Sequence, residues 1–123
     1  MPKLTAAHAL VNSIRAHGVD TIFGLPGVQL DGLFNALWDE RGHIRVIESR
    51  HEQGVAYMAF GYAQSTGKVG TFAVVPGPGV LNAGTALSTA YACNTPVLCL
   101  TGQIPSAQIG RNLGLLHEIP HQQ

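Results

Sequence analysis

The sequence has few charged residues and no excess of either sign. Asp, Glu, Lys and Arg make up only 11% of the 123 residues, against roughly a quarter in a typical soluble domain. The seven basic and seven acidic residues cancel, so no electrostatic reason exists to expect nucleic acid or a membrane surface as a partner. With 46% hydrophobic residues, we expect some apolar surface to be covered by another chain or segment.

Cysteines and long apolar runs are also scarce. Cys93 and Cys99 are too few for a disulfide scaffold, and neither has the Cys/His spacing of a zinc site. We expect both to be buried, reduced thiols in a cytoplasmic protein. The apolar runs are of strand length and bounded by glycine or proline, so no transmembrane helix is predicted.

Helical and strand-like patterns alternate along the chain. Helical spacing begins near Thr5, Leu30, His51 and Val80, and short apolar runs occupy residues 19–24, 44–47, 69–75 and 96–100. Such an alternation with nearly continuous apolar strands predicts an α/β fold, a doubly wound parallel sheet with helices on both faces. Beyond residue 103 the pattern fades, so we expect residues 1–123 to represent one truncated domain.

Two of the helical segments have a stripe of residues that we expect to face the core. In the first helix the stripe consists of Ala6, Ala9, Leu10, Ser13, Ile14 and residues 16–17. In the second helix it consists of Leu30, Leu33, Phe34, Leu37 and Trp38.

Unusual turns follow all four predicted strands, at residues 24–27, 49–52, 76–79 and 101–103. Carboxyl ends of parallel strands share one edge of the sheet, where ligands of such folds bind. Glycine and proline can occur in a turn only because its backbone conformation requires them. Glu52 in a first helical turn can likewise serve only to stabilise the helix through its dipole. Three turns that contain glycine or proline, together with a carboxylate on the same edge, favour a binding site.

The turns do not match the common nucleotide or hydrolase motifs. Residues 77–82 resemble a dinucleotide motif but end in Asn82, and no acidic residue follows at the expected distance. A P-loop and a G-x-S-x-G nucleophile elbow are both missing. Glu52, Asn82 and backbone groups suit hydrogen bonding to a neutral heterocycle better than binding of a phosphate or a metal.

The motifs G-L-P-G, R-H-E-Q-G-x-A-x-x-A-x-G-Y-A, G-P-G-x-x-N and T-G-Q, at residues 24–27, 50–63, 77–82 and 101–103, resemble a known family. Similar motifs in the same order occur in the N-terminal pyrimidine-binding domain of thiamine diphosphate enzymes, in particular the acetolactate synthase, pyruvate oxidase and benzoylformate decarboxylase group. The resemblance extends from residue 6 to about residue 122 and is more specific for the superfamily than for one reaction.

The resemblance implies roles for individual residues. Glu52 would be the glutamate that contacts N1′ of the cofactor's aminopyrimidine and activates the cofactor. Residues 25–27 (Leu25, Pro26 and Gly27) would form the loop against the pyrimidine ring, and Pro78 and Asn82 would be further cofactor contacts. For His51 we favour a structural hydrogen bond over catalysis.

Two departures from the family pattern concern substrate and metal. Acetolactate synthase-like relatives carry A-F-Q-E where residues 115–118 here read L-L-H-E, so His117 would stand where those enzymes have an active-site glutamine. The family's Mg²⁺ and diphosphate motif is absent, and this chain is expected to contribute no metal ligand. The resemblance thus implies half a site, completed by the diphosphate-binding domain of a second subunit.

The leading interpretation is an enzyme part that acts on 2-oxo acids or related carbonyl compounds, by decarboxylation or carboligation, in a homo-oligomer with thiamine diphosphate and Mg²⁺. The alternative is a non-catalytic α/β binding or regulatory module that retains the fold. Glu52 together with Pro26, Pro78 and Asn82 favours the first interpretation.

Overall fold

A computed structural model describes residues 4–122, in which four helices alternate with four strands. The helices are α1 (Ala6–Ala16), α2 (Asp31–Asp39), α3 (Glu52–Thr66) and α4 (Pro78–Ala92). The strands are β1 (Thr21–Gly24), β2 (Arg45–Glu48), β3 (Gly70–Val74) and β4 (Val97–Thr101). Two short 3-10 turns cover Val28–Leu30 and Ser106–Gln108.

The strands form one parallel sheet in the order β2-β1-β3-β4. Ile22 of β1 lies opposite Val46 on one side and Thr71 on the other. The chain moves outward from β1 to β2, crosses back to β3 and continues to β4, so the winding direction reverses between β1 and β3. The expected α/β fold with a doubly wound parallel sheet is confirmed.

The two faces of the sheet carry separate cores because successive side chains of a strand point to opposite faces. Ile22 packs with α1 and α2 in the first core, whereas the next residue, Phe23, packs with α3 and α4 in the second. On β3, Ala73 joins the first core, and Phe72 and Val74 join the second. The helices therefore cover both faces, as the apolar strands predicted.

The predicted inner face of α1 is wrong in part. Thr5 caps the helix as expected, since its hydroxyl accepts a hydrogen bond of 3.2 Å from the His8 amide. The residues that reach the core are Val11 and Ile14, whereas Leu10 is 41% exposed. The predicted stripe and the residues that are buried both have helical spacing. Only the position of α2 and the sheet determines which of the two faces is buried.

Two further expectations about burial are also wrong. Trp38 is 67% exposed, with the Arg41 guanidinium stacked 4.7 Å from its ring centroid. Cys93 is exposed directly after α4, while Cys99 on β4 is partly buried. Burial raises the pKa of the Cys99 thiol to about 11. Within residues 4–122, no helix has the length and apolar character to cross a membrane.

Candidate functional site

The turns after the four strands meet at one edge of the sheet. Gly27, after β1, packs against the Val75 side chain, and a methyl group on Gly79 would lie 2.7 Å from the Cγ2 atom of the same valine. A methyl group on Gly102, after β4, would lie 2.6 Å from the carbonyl oxygen of Gln29. This edge flanks the reversal between β1 and β3, which is where open α/β sheets bind ligands.

Glu52 is the first residue of α3 and is half-buried beside the start of α4. The Asn82 side-chain amide donates a hydrogen bond of 3.0 Å to the Oε2 atom of Glu52. The Oε1 atom of Glu52 lies 3.6 Å from the position that a methyl group on Gly79 would occupy. The carboxylate therefore lies between the two helix starts, next to the turn after β3.

Side-chain hydrogen bonds hold the two helices in this relation. Gln53 donates to the Thr85 hydroxyl at 2.8 Å, and the Tyr57 and Thr89 hydroxyls are 3.1 Å apart. His51 caps α3, because its Nδ1 atom accepts a hydrogen bond of 3.1 Å from the Gln53 amide. Since these contacts occupy the first turns of α3, the orientation of the adjacent Glu52 is restrained.

The turn between β3 and α4 has a backbone shape that needs glycine. Gly77 has a φ of +65°, and a methyl group there would lie 2.8 Å from the His117 carbonyl oxygen. Pro78 follows as the first residue of α4, where its missing N–H costs no hydrogen bond. The helix thus begins two residues earlier than its apolar pattern predicted.

The segment after β4 returns to this turn. The His117 Nδ1 atom lies 3.0 Å from the Pro76 carbonyl oxygen; a carbonyl only accepts, so Nδ1 carries the hydrogen and Nε2 is left for another partner. Gln122 accepts a hydrogen bond of 2.7 Å from the Gly77 amide and donates one of 3.2 Å to the Gly102 carbonyl oxygen. Gln122 was missed in the sequence, which has no motif that marks it.

The residues named from the sequence fall into two adjoining groups. Glu52, Pro78 and Asn82 lie together where α3 and α4 begin. Leu25 extends the pairing of β1 with β3 through its amide, 3.1 Å from the Ala73 carbonyl oxygen, and Pro26 beyond it is exposed. Residues 25–27 meet the first group through Val75, and His117 borders it through Pro76.

The donor set at this edge suits a neutral, hydrogen-bonding ring. Where α3 and α4 begin, it offers the Glu52 carboxylate, the Asn82 side-chain amide and the backbone of two glycine-containing turns. Within residues 4–122, no three His, Cys, Asp or Glu side chains are grouped so that they could hold a metal ion. None of the ion pairs among these residues involves Glu52. This donor set suits an aminopyrimidine better than a diphosphate or Mg²⁺.

Comparison with known proteins agrees with the chemistry of this edge. A protein named probable 2-ketoarginine decarboxylase from Pseudomonas aeruginosa is 44% identical over 119 residues, which are 97% of this chain and 21% of that protein. Acetolactate synthase from Arthrospira platensis is 44% identical over 110 residues, 88% of this chain and 19% of that protein. Acetolactate synthase isozyme 2 large subunit from Escherichia coli is 40% identical over 107 residues, which are 87% of this chain and 19% of that protein. The chain thus spans about a fifth of the length of these relatives.

The family model described as "Thiamine pyrophosphate enzyme, N-terminal TPP binding domain" matches residues 4–123. This match covers nearly the whole chain and includes every turn at the carboxyl edge of the sheet. The chain therefore belongs to the thiamine pyrophosphate enzyme family and carries its N-terminal domain.

Proposed function

We propose that residues 1–123 form the domain that binds the aminopyrimidine ring of thiamine diphosphate, and that Glu52 is the catalytic carboxylate. The observation that carries this proposal is the position of Glu52 between two helix starts, hydrogen-bonded to Asn82 beside the turn after β3. Asn82 orients Oε2, and the packing of Gly79 against Val75 brings the backbone close to the carboxylate.

Each residue has a definite task in this proposal. Glu52 exchanges a proton with N1′ of the ring, which is general acid–base catalysis carried out through the cofactor. Leu25, Pro26, Gly27 and Pro78 contact the ring, and Asn82 adds a polar contact. When bound, thiamine diphosphate would supply a nucleophilic carbon for the carbonyl group of the substrate.

We infer that the complete enzyme acts on a 2-oxo acid or a related carbonyl compound, by decarboxylation or carboligation. The names of the relatives, a decarboxylase and acetolactate synthases, support this class of reaction. The position of His117 beside Pro76 supports a contact of its imidazole with the substrate.

The rest of the site is assigned to other parts of the enzyme. The described residues of this chain contain no group of three His, Cys, Asp or Glu side chains for a metal ion, and we assign Mg²⁺ and the diphosphate group to the diphosphate-binding domain of a second subunit. The enzyme would then be a homo-oligomer, and we place it in the cytoplasm. Nucleic acid and membrane are not among the proposed partners, since the net charge is zero.

The test is the Glu52→Gln variant of the intact enzyme. Glutamine keeps the size of the side chain and can still accept the Asn82 hydrogen bond, but it cannot take up the proton. We expect turnover to fall by at least about a hundredfold, the scale of general acid–base catalysis. Steady-state turnover of 2-oxo acids at saturating thiamine diphosphate and Mg²⁺ measures the effect.

Glu48→Gln is the matched control, because Glu48 is an exposed carboxylate at the same edge of the sheet, at the end of β2. We expect its turnover to match that of the unaltered enzyme. Near-normal turnover of Glu52→Gln would remove Glu52 from the mechanism. Cofactor binding without turnover of any carbonyl compound would favour the alternative, a binding or regulatory module.

A further inference from the structure

A cavity of about 900 Å³ lies within the segment that follows β4, and its lining residues all fall in the range 103–122. We propose that it receives the tail of the 2-oxo acid, and that Glu118 selects a tail with a positively charged nitrogen group. This inference rests on the proposed function and extends it to the class of substrate. The size of the cavity is within the range of small-molecule sites, about 300–1,000 Å³.

The lining of the cavity is apolar and amide-rich, with a single carboxylate. Ile104 and Ile109 contribute apolar surface, and side-chain amides come from Gln103, Asn112 and Gln122. Glu118 is the one acidic residue in the lining, which contains no lysine or arginine. The other titratable side chain there is His121.

Two of the three side-chain amides in the lining form hydrogen bonds, and among the described residues the carboxylate has one oxygen without a donor. The Gln103 side-chain oxygen accepts from the Ile104 amide at 2.8 Å, and Gln122 bridges Gly77 and Gly102 with both ends of its side chain. Glu118 accepts a hydrogen bond of 3.2 Å from the Leu115 amide through Oε2. No residue within 4–122 donates to Oε1 or forms an ion pair with this carboxylate.

The free oxygen determines which tail is accepted. An ammonium or guanidinium group neutralises the carboxylate and donates to Oε1 in a charge-assisted hydrogen bond. A methyl-ended tail would leave the half-buried carboxylate without a partner, and a carboxylate-ended tail would be repelled.

The cavity adjoins the proposed cofactor edge. Gln122 is part of its lining and is bonded to Gly77, the residue before Pro78. Glu118 follows His117, whose ring is bonded to Pro76 in the same turn. A substrate with its carbonyl group near His117 can therefore extend its tail toward Glu118.

The experiment compares three 2-oxo acids of matched length, which end in a guanidinium, a methyl or a carboxylate group, as substrates of the intact enzyme with thiamine diphosphate and Mg²⁺. We expect kcat/KM to be at least about tenfold higher for the guanidinium-ended acid than for the methyl-ended acid. The Glu118→Gln variant, whose amide oxygen can still accept from Leu115, should lose this preference. Glu48→Gln, the same change at the end of β2, which is the outer strand on the other side of the sheet from β4, should keep it.

A preference for the methyl-ended or carboxylate-ended acid would overturn the inference, as would an unchanged preference in Glu118→Gln. A second measurement does not depend on catalysis. In calorimetric titrations of the cofactor-free protein with a guanidinium-ended carboxylic acid and its methyl-ended analogue, we expect tighter binding of the former, and loss of the difference in Glu118→Gln. Equal binding of the two acids by the unaltered protein would also overturn the inference.

The two proposals fail in different ways. Normal turnover by Glu52→Gln rejects the catalytic assignment and leaves the difference in tail binding intact. Full dependence of turnover on thiamine diphosphate and on Glu52, without a preference for the charged tail, rejects only the role of Glu118.

Discussion

At the scale of single residues, Gly70 shows how closely the helix layer approaches the sheet. It is the first residue of β3 and is buried, and a methyl group on it would collide with the backbone carbonyl of Ala59 in α3. Backbone atoms of a packed helix cannot move aside as the end of a flexible side chain can. Gly70 therefore sets the distance between α3 and the start of β3.

We expect Gly70→Ala to destabilise the protein by about 1–3 kcal/mol, the usual cost of overpacking. Gly61→Ala is the control, because Gly61 is exposed within α3 and a methyl group there would meet nothing within 4 Å. This change should instead stabilise the protein by about 0.5–1 kcal/mol, since alanine suits a helix better than glycine. Urea unfolding followed by circular dichroism measures both, and an equal effect of the two variants would contradict the packing of α3 on β3.

At the scale of elements, a polar cluster joins the amino ends of β1 and β3, opposite the proposed site. The Asp20 carboxylate accepts hydrogen bonds of 2.6 Å from Lys68 and from the Tyr62 hydroxyl, and one of 3.0 Å from Thr21. The hydrogen bond from Lys68, followed by those from Tyr62 and Thr21, holds the pKa of Asp20 well below its usual value. The same hydrogen bond raises the pKa of Lys68, and the contact with Asp20 raises that of Tyr62.

A lowered pKa in the folded state means that the charged carboxylate stabilises the fold. This contribution to stability is complete above the pKa of the aspartate in the unfolded chain, about 4. It is lost as the pH falls from there through the lower pKa that Asp20 has in the folded state. We expect Asp20→Asn to reduce the free energy of unfolding at neutral pH by up to about 1 kcal/mol, because the cluster is largely exposed. The difference from the unaltered protein should shrink below about pH 4.

Urea unfolding at a series of pH values measures this dependence. Glu48→Gln is again the control, since no hydrogen bond within residues 4–122 involves the Glu48 side chain, and its effect should be small at every pH. A difference between Asp20→Asn and the unaltered protein that grows toward acidic pH would show the opposite sign of linkage and contradict the assignment.

At the scale of the whole molecule, large apolar side chains remain at the surface. Tyr91 on α4 is 87% exposed, Leu81 on the same helix is 65% exposed, and Val28 in the 3-10 turn after β1 is 80% exposed. Charged side chains are too few to surround these residues. Apolar surface of this kind indicates contact with another chain or domain.

We therefore expect the intact protein to sediment as a dimer or a larger oligomer in analytical ultracentrifugation. The apolar side chains supply the association energy, so Tyr91→Lys should shift the distribution toward smaller species if α4 is part of the interface. Ser13→Lys is the control for the added charge, because Ser13 is an exposed polar residue of α1, on the other face of the sheet from α4; we expect it to leave the distribution unchanged. A single monomeric species at the highest concentration would contradict the expected oligomer.

The order of helices and strands, the parallel sheet and the shared edge of its turns were all predictable from the sequence. Apolar periodicity reports which residues avoid water, and strands connected through helices must run parallel, so their turns fall on one edge. This is why Glu52, Asn82 and the turn at residues 76–79 could be expected near one another before their contacts were known.

Only the tertiary structure decided which of two helical stripes of α1 is buried, that Trp38 and Cys93 are exposed, and that Gln122 joins the turns after β3 and β4. Each depends on partners far away in the chain: Gln122 lies 45 residues from Gly77. A local pattern contains the polarity of a residue but not the position of the surface against which it packs. That position is determined when the sheet and its helices come together.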